Sequence, residues 1–105
     1  MSQIQATSRN GVPIRLTDER WQHIIEEHVE VAGLREEILR TISDADRVLL
    51  GTAGELLAVR MIEAGKAIVV VYRETELGDG FVITAFVTRR LKSLEKRAQI
   101  WPPQT

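Results

Sequence analysis

Residues 66–90 of the chain read KAIVVVYRETELGDGFVITAFVTRR. The stretch holds two runs rich in Val, Ile, Phe and Tyr, residues 66–75 and 80–89, joined by a connector that contains Gly78. β-Branched and aromatic residues favour strands, and a short connector with a glycine favours a hairpin. The stretch therefore predicts two antiparallel strands.

Two further runs of the same kind precede this hairpin, at residues 48–52 and 55–62. Connectors that each contain a glycine separate them from one another and from the hairpin. Because short connections join neighbouring antiparallel strands, the four runs predict a four-stranded antiparallel meander. After it, residues 91–97 are long enough only for a turn or two of helix.

Helical periodicity governs the segment before the strands. Thr17 is a good helix N-cap and is followed by two acidic residues, which favour the positive end of a helix dipole. Apolar residues then recur at the i, i+3, i+4 and i+7 spacing of one helix face. The pattern predicts a first helix over residues 18–29, a second over 34–43, and a short strand before them at 12–16.

The order of these elements favours an α+β fold. Both helices are expected on one face of the four-stranded meander, with a short extra N-terminal strand. A length of 105 residues predicts one domain, since domains commonly hold about 100–200 residues. Its expected parts are a loose N-terminal arm (1–11), a core (12–97) and a tail (98–105).

Charge is balanced overall but unevenly distributed. Lys plus Arg number 14 and Asp plus Glu 15, a net charge of −1, which argues against nucleic-acid binding through bulk charge. Residues 17–46 hold nine acids against three arginines, a net of −6, whereas residues 85–105 hold five bases against one acid, a net of +4. One acidic and one basic region are expected.

Several function classes are excluded by composition. The chain has no cysteine, so disulfides, thiolate nucleophiles and thiolate-bound metals are excluded. No apolar run approaches the length needed to cross a bilayer, and the first ten residues lack the apolar core of a signal peptide. A cytoplasmic protein without membrane contact, metal or cofactor is expected.

Two histidines, His23 and His28, fall on the first predicted helix, and histidine is the residue type that ordinarily titrates near neutral pH. Their separation of five residues places them about 140° apart on a helix, which argues against a shared zinc ion. His28 shares the apolar face, so a core-edge role is one interpretation. For His23 the alternative is a surface residue near Glu27.

Arginines interrupt two of the apolar strands. Arg60 and Arg73 each require a carboxylate or a ligand as a partner, because burying an unpaired charge in a sheet has a large desolvation cost. They pair with a helix carboxylate such as Glu27 or Glu30, or they bind a phosphate. The basic run over residues 89–97 is either a solvated surface or a region that steers a charged substrate.

Alternation within the last strand separates its two faces. Phe81, Ile83, Ala85 and Val87 are expected on one face. The other face then carries Val82, Phe86 and two hydroxyl residues, Thr84 and Thr88, and is expected to be open.

Four segments carry a resemblance to a known group of proteins: residues 14–24 (IRLTDERWQHI), 27–30 (EHVE), 70–73 (VVYR) and 79–88 (DGFVITAFVT). Together they resemble small phage- and bacteria-borne domains of the barnase–EndoU–colicin–RelE (BECR) nuclease superfamily. The resemblance extends over about residues 12–101. Where many relatives read His-Pro-Glu after the helix, this chain has Val29 between the histidine and the glutamate.

The resemblance implies a metal-independent RNA endonuclease of toxin type, which cleaves by attack of the ribose 2′-hydroxyl on its own phosphate. Its partners would be RNA and an antitoxin or immunity-type protein. The candidate catalytic residues that the resemblance implies are His23, His28, Tyr72, Arg73, Thr84 and Thr88. The candidate phosphate-binding residues are Arg60, Arg89 and Arg90.

Two alternatives stand beside the nuclease. One is a non-catalytic interaction module of the same fold, as a homodimer or with an antitoxin-type partner. The other is an ordinary ligand-binding α+β domain, for which no Gly-rich phosphate loop is present. The interaction module is favoured if Arg60, Arg73, Thr84 and the histidines do not share one concave basic surface.

Overall fold

The computed structural model describes residues 4–76 and 78–103. Residues 1–3 of the expected arm, Leu77 in the last connector and residues 104–105 of the expected tail lie outside the described residues. The helices and strands follow one another as β1 (Gln5–Thr7), β2 (Pro13–Arg15), α1 (Asp18–Glu27), α2 (Arg35–Ser43), β3 (Arg47–Leu50), β4 (Leu56–Glu63), β5 (Lys66–Glu74), β6 (Gly80–Thr88), α3 (Leu91–Glu95) and β7 (Gln99–Trp101).

The described strands form one curled, mixed sheet with the order β1-β2-β6-β5-β4-β3-β7. Strands β3 to β6 are the antiparallel meander, so this part of the prediction is confirmed. Strand β2 instead runs parallel to β6, with Ile14 opposite Gly80. Strands β1 and β7 add a strand at each end, inside the segments expected to be an arm and a tail. The described residues therefore form seven strands, whereas the sequence predicts a four-stranded meander and one short N-terminal strand.

Both predicted helices form, and the α+β class is confirmed. The Thr17 hydroxyl accepts a hydrogen bond from the Arg20 N–H, which caps α1 as expected. The helix ends at Glu27, two residues earlier than predicted, because a 3₁₀ turn over Val29–Val31 follows its C-cap His28. No helix in the described ranges is long and apolar enough to span a membrane.

Two cores lie on the two sides of the sheet. The helix-side core joins residues of α1 and α2, such as Ile24 and Ile38, to one face of the strands, including Ile68. The smaller α3-side core is formed by Leu49, Leu57, Val59, Ala67, Val69 and Leu94. Because both faces of the central strands are covered, β5 is apolar almost throughout.

One expectation for β6 is wrong. The pairing of β6 with β5 shifts in register after Val71, so Thr84 lies opposite Val71 while Val82 lies opposite Tyr72. Ile83 is an extra residue in β6. Phe81 and Val82 therefore lie on the opposite faces from those that strict alternation along β6 would give them. Val82 therefore joins Ala85 in the helix-side core. Phe81, opposite Arg73, lies on the same side of the sheet as Thr84.

A contact between Arg9 and Trp101 joins segments from the two ends of the strand order. The Arg9 guanidinium lies 4.1 Å from the centroid of the Trp101 ring, a cation–π distance. Its Nε and one Nη also donate to the carbonyl oxygen of Ala45, at 3.2 and 2.9 Å. Arg9 lies between β1 and β2 whereas Trp101 ends β7, so the contact clasps the curled sheet. We call it the Arg9–Trp101 clasp.

Replacing Arg9 with alanine is expected to lower the free energy of unfolding by about 1 kcal/mol, because an exposed cation–π contact and hydrogen bonds to one carbonyl are lost. Urea denaturation followed by circular dichroism measures the loss. Arg20→Ala, on the exposed surface of α1, is the control and should change stability much less. Equal stability of the two variants would contradict a stabilising clasp.

Candidate functional site

A trough of about 240 Å³ lies between α3 and β6 on the α3 side of the sheet. We call it the α3 trough. Two arginines and two hydroxyl residues line it, and none of its lining residues is acidic. The lining residues are Leu57, Phe86, Thr88, Arg90, Ser93, Leu94 and Arg97.

Helix α3 positions three of these side chains. The Arg90 N–H donates to the Thr88 hydroxyl at 3.0 Å, which fixes the turn from β6 into α3. Leu94 packs into the α3-side core and anchors the helix. Ser93 lies within α3, and Arg97 follows the C-cap Lys96, with its N–H donating to the Leu94 carbonyl oxygen at 3.1 Å. A rigid wall of the trough thus presents a hydroxyl and a guanidinium.

His28 lies beside the trough at the end of α1. Its ring centroid is 5.9 Å from that of Phe86, with the ring planes tilted by 38°. Its Nδ1 is 3.3 Å from a carboxylate oxygen of Glu30, across the 3₁₀ turn, and the side chain is 33% exposed. A carboxylate beside Nδ1 leaves Nε2 as the nitrogen for a second partner. The ring therefore combines access to solvent with contact to an aromatic wall of the trough.

Thr84 and Arg73 extend the same side of the sheet beyond the trough. The Thr84 hydroxyl is buried and has no hydrogen-bond partner among the described residues. Arg73 lies opposite Phe81 and donates to the Ala53 carbonyl at 3.0 Å. It is four residues along β5 from Val69, which lies opposite Phe86, a distance of about 13 Å at the usual rise of a strand.

Glu55 links Arg73 to the trough electrostatically. Its carboxylate accepts a hydrogen bond from the Ala53 N–H at 2.7 Å. Backbone hydrogen bonds from Ala53 and Glu55 itself, and then the positive charges of Arg73 and Arg97, lower the pKa of Glu55. Both arginines are thus close enough to act on one carboxylate. An acidic side chain therefore lies within electrostatic reach of both arginines, so positive charge is not continuous from the trough to Arg73.

Arg60 lies elsewhere, on the helix side of the sheet. Its guanidinium pairs with the Glu37 carboxylate, and its Nε donates to the Thr41 hydroxyl at 3.2 Å. Only 14% of the side chain is exposed. Of the two partners expected for Arg60, a helix carboxylate or a phosphate, the structure shows a helix carboxylate. This carboxylate belongs to α2, and it is not that of Glu27 or Glu30.

Three other candidates also lie outside the trough. Tyr72 is fully buried in the helix-side core, where burial and, secondarily, the negative charge of Glu74 raise the pKa of its hydroxyl. His23 is exposed on α1. Arg89 reaches a Glu63 carboxylate oxygen at 3.3 Å. The structure thus places Thr84, Thr88 and Arg90 on the α3 side of the sheet, with Arg73 at its far end, and brings the His28 ring from the end of α1 into contact with Phe86.

Two trough residues, Ser93 and Arg97, were missing from the sequence-based candidates. Arg97 belongs to the basic run over residues 89–97, but the sequence alone does not distinguish it from its neighbours until the short helix Leu91–Glu95 is known. Within residues 4–76 and 78–103, no group of three or more His, Asp or Glu side chains is placed to hold a metal ion.

Comparison of the chain with protein-family models, with curated proteins and with solved structures found no match.

Proposed function

We propose that this chain binds RNA in the α3 trough and cleaves it by attack of a ribose 2′-hydroxyl on the adjacent phosphate. One observation carries the proposal: the His28 ring contacts Phe86, whose side chain lines a trough with two arginines and no acid. The reaction needs a group that moves a proton and cations that stabilise a crowded phosphate. A histidine beside a cationic trough supplies both.

Three trough residues and the neighbouring His28 have roles in this proposal. Arg90 and Arg97 bind phosphate oxygens, for which the planar guanidinium is suited. Phe86 stacks on a base, as aromatic side chains do in single-stranded RNA recognition. His28 exchanges a proton with the reacting oxygens through Nε2, while Glu30 lies beside Nδ1. The nucleophile comes from the RNA itself, so the residues need only position the phosphate and move protons.

The resemblance to BECR nucleases supports the same reading. Two helices followed by an antiparallel meander is the element order that the resemblance implies, and the α+β class agrees with it. A toxin-type role with an antitoxin or immunity-type partner belongs to the same proposal.

A second candidate function is a non-catalytic interaction module of the same fold. It is favoured by the separation of the expected site residues. Arg60 is paired on the helix side and Tyr72 is buried there, whereas Arg73 and Thr84 lie on the α3 side. A complete set of the expected residues on one concave surface is therefore not formed.

An RNA cleavage assay in EDTA separates the two candidates. Purified protein is incubated with a fluorescent RNA and with DNA of the same sequence. We expect cleavage of the RNA only, with 2′,3′-cyclic phosphate ends, because DNA lacks the 2′-hydroxyl. The absence of cleavage beyond a mock purification from cells without the gene would favour the interaction module.

Replacing Arg97 with alanine is expected to weaken RNA binding about threefold to tenfold, because one charge-assisted contact to phosphate is removed. The slope of log affinity against log salt should fall by about 0.7, the value for one phosphate contact with a single strand. Fluorescence anisotropy at several salt concentrations measures both. Arg40→Ala, on α2 at the opposite side of the sheet, is the matched control. Equal losses from the two variants would contradict binding in the trough.

A further inference from the structure

A second groove adjoins the α3 trough, and Thr88 lines both. Two depressions of about 400 and 230 Å³ share Leu34 and Ile62 and so form one continuous groove. One wall comes from α2 and the turn before it, and the other from the ends of β4, β5 and β6. We call it the α2 groove. The apolar side chains that line it are Leu34, Met61, Ile62, Ile68 and Val87.

The groove exposes apolar surface. Ile62 is 37% exposed and Met61 40%, which places both among the most exposed large apolar residues of the described chain. Exposed apolar surface that is rimmed by charges is typical of protein interfaces. A covering partner is therefore expected.

The two walls carry opposite charge. Glu30 and Glu37 lie on the helix wall, and Lys66 and Arg89 lie on the strand wall. Both bases approach a single acid, Glu63, at 3.3 Å, so the strand wall keeps a net positive charge. Glu37 pairs with Arg60. Glu30 lies 3.3 Å from the His28 ring and pairs with no Arg or Lys among the described residues, so Glu30 is the negative group of the helix wall. A partner of one charge sign would match one wall and repel the other.

We propose that a second copy of this chain covers the α2 groove, related to the first by a two-fold axis that runs along the groove. Such an axis places the helix wall of each copy against the strand wall of the other. Glu30 of one copy then faces Arg89 of the second copy, twice, while the Ile62 side chains pack in the seam. The opposed charges fit this pairing because each wall meets its complement.

Analytical ultracentrifugation of the whole chain tests the proposal. At about 100 µM we expect twice the monomer mass of 11.9 kDa, since an interface of this kind with a Kd near 1 µM is then almost fully occupied. Ile62→Glu should raise the Kd at least about tenfold, because it buries an unpaired carboxylate in the apolar seam. The control is Leu50→Glu, at a position 42% exposed and outside the groove, which should leave the Kd unchanged. A wild-type monomer at this concentration would overturn the proposal.

A charge exchange tests the orientation and does not depend on the Ile62 variant. Arg89→Glu alone is expected to raise the Kd about fivefold or more, because Glu30 of the second copy would then face a like charge. Adding Glu30→Arg should restore the Kd to within about twofold of the wild type. Both side chains are exposed, so folding should be retained, which circular dichroism checks. A double variant that dimerises no better than Arg89→Glu would overturn the two-fold arrangement.

Discussion

His28→Ala is expected to lower the rate of RNA cleavage by a factor of about 100 or more, the usual contribution of a general acid or base. The expectation follows from position, since this ring contacts Phe86 at the edge of the trough. Single-turnover cleavage of a fluorescent RNA, with enzyme in excess, measures the step directly. RNA affinity should change much less, because the arginines that bind phosphate are retained.

His23→Ala is the matched control for this experiment. The residue has the same chemistry and lies on the same helix, but it is exposed and does not line the α3 trough. Its removal should leave the cleavage rate within about twofold of the wild type, as expected for a surface substitution. The proposed assignment is wrong if His23→Ala loses activity and His28→Ala keeps it.

Gly80→Ala is expected to lower the free energy of unfolding by about 3 kcal/mol, because the added methyl group has no space. A Cβ at this position would overlap the backbone carbonyl oxygen of Arg73 and lie 2.6 Å from Cδ1 of Ile14. Gly80 lies opposite both Ile14 in β2 and Glu74 in β5. Relief of the overlap with Arg73 therefore has to move the backbones of β5 and β6 apart. Thermal denaturation should show a fall of about 10 °C or more in Tm.

Gly51→Ala tests whether the nature of the neighbour decides this effect. A Cβ at Gly51 would overlap the side chain of Glu55, to which its three nearest neighbouring atoms all belong. A flexible side chain can move away, at the expense of its hydrogen bond to Ala53. The loss of stability should be clearly smaller than for Gly80→Ala. A loss as large as that of Gly80→Ala would show that the nature of the neighbouring atom does not decide the effect.

The long helices and strands were predictable, whereas two of the shortest strands, β1 and β7, were not. Strands β5 and β6 hold nine residues each, enough to show their composition, and α1 shows its apolar spacing over ten residues. Strands β1 and β7 hold three residues each, too few for any pattern of alternation. The shift at Ile83 depends on pairing with β5, which the sequence of β6 alone does not contain.

The side of the sheet on which a site residue lies was predictable for residues of the same strand. For residues of different strands it depends on the register between those strands. Thr84, Phe86 and Thr88 alternate along β6, and they do share a side of the sheet. Arg60 and Arg73 look alike in sequence, but register places Arg60 opposite Ile68 and Arg73 opposite Phe81, on opposite sides. Tyr72 is buried because both sides of β5 are covered.

The Arg9–Trp101 clasp also bears on the order of folding. The β5–β6 hairpin closes a short loop, whereas the clasp joins residues separated by most of the chain. Loop-closure entropy grows with separation, so contacts of high contact order tend to form after local ones. We therefore infer that the clasp is absent from the folding transition state. A contact of this kind slows unfolding and leaves the folding rate nearly unchanged, so it contributes to kinetic stability.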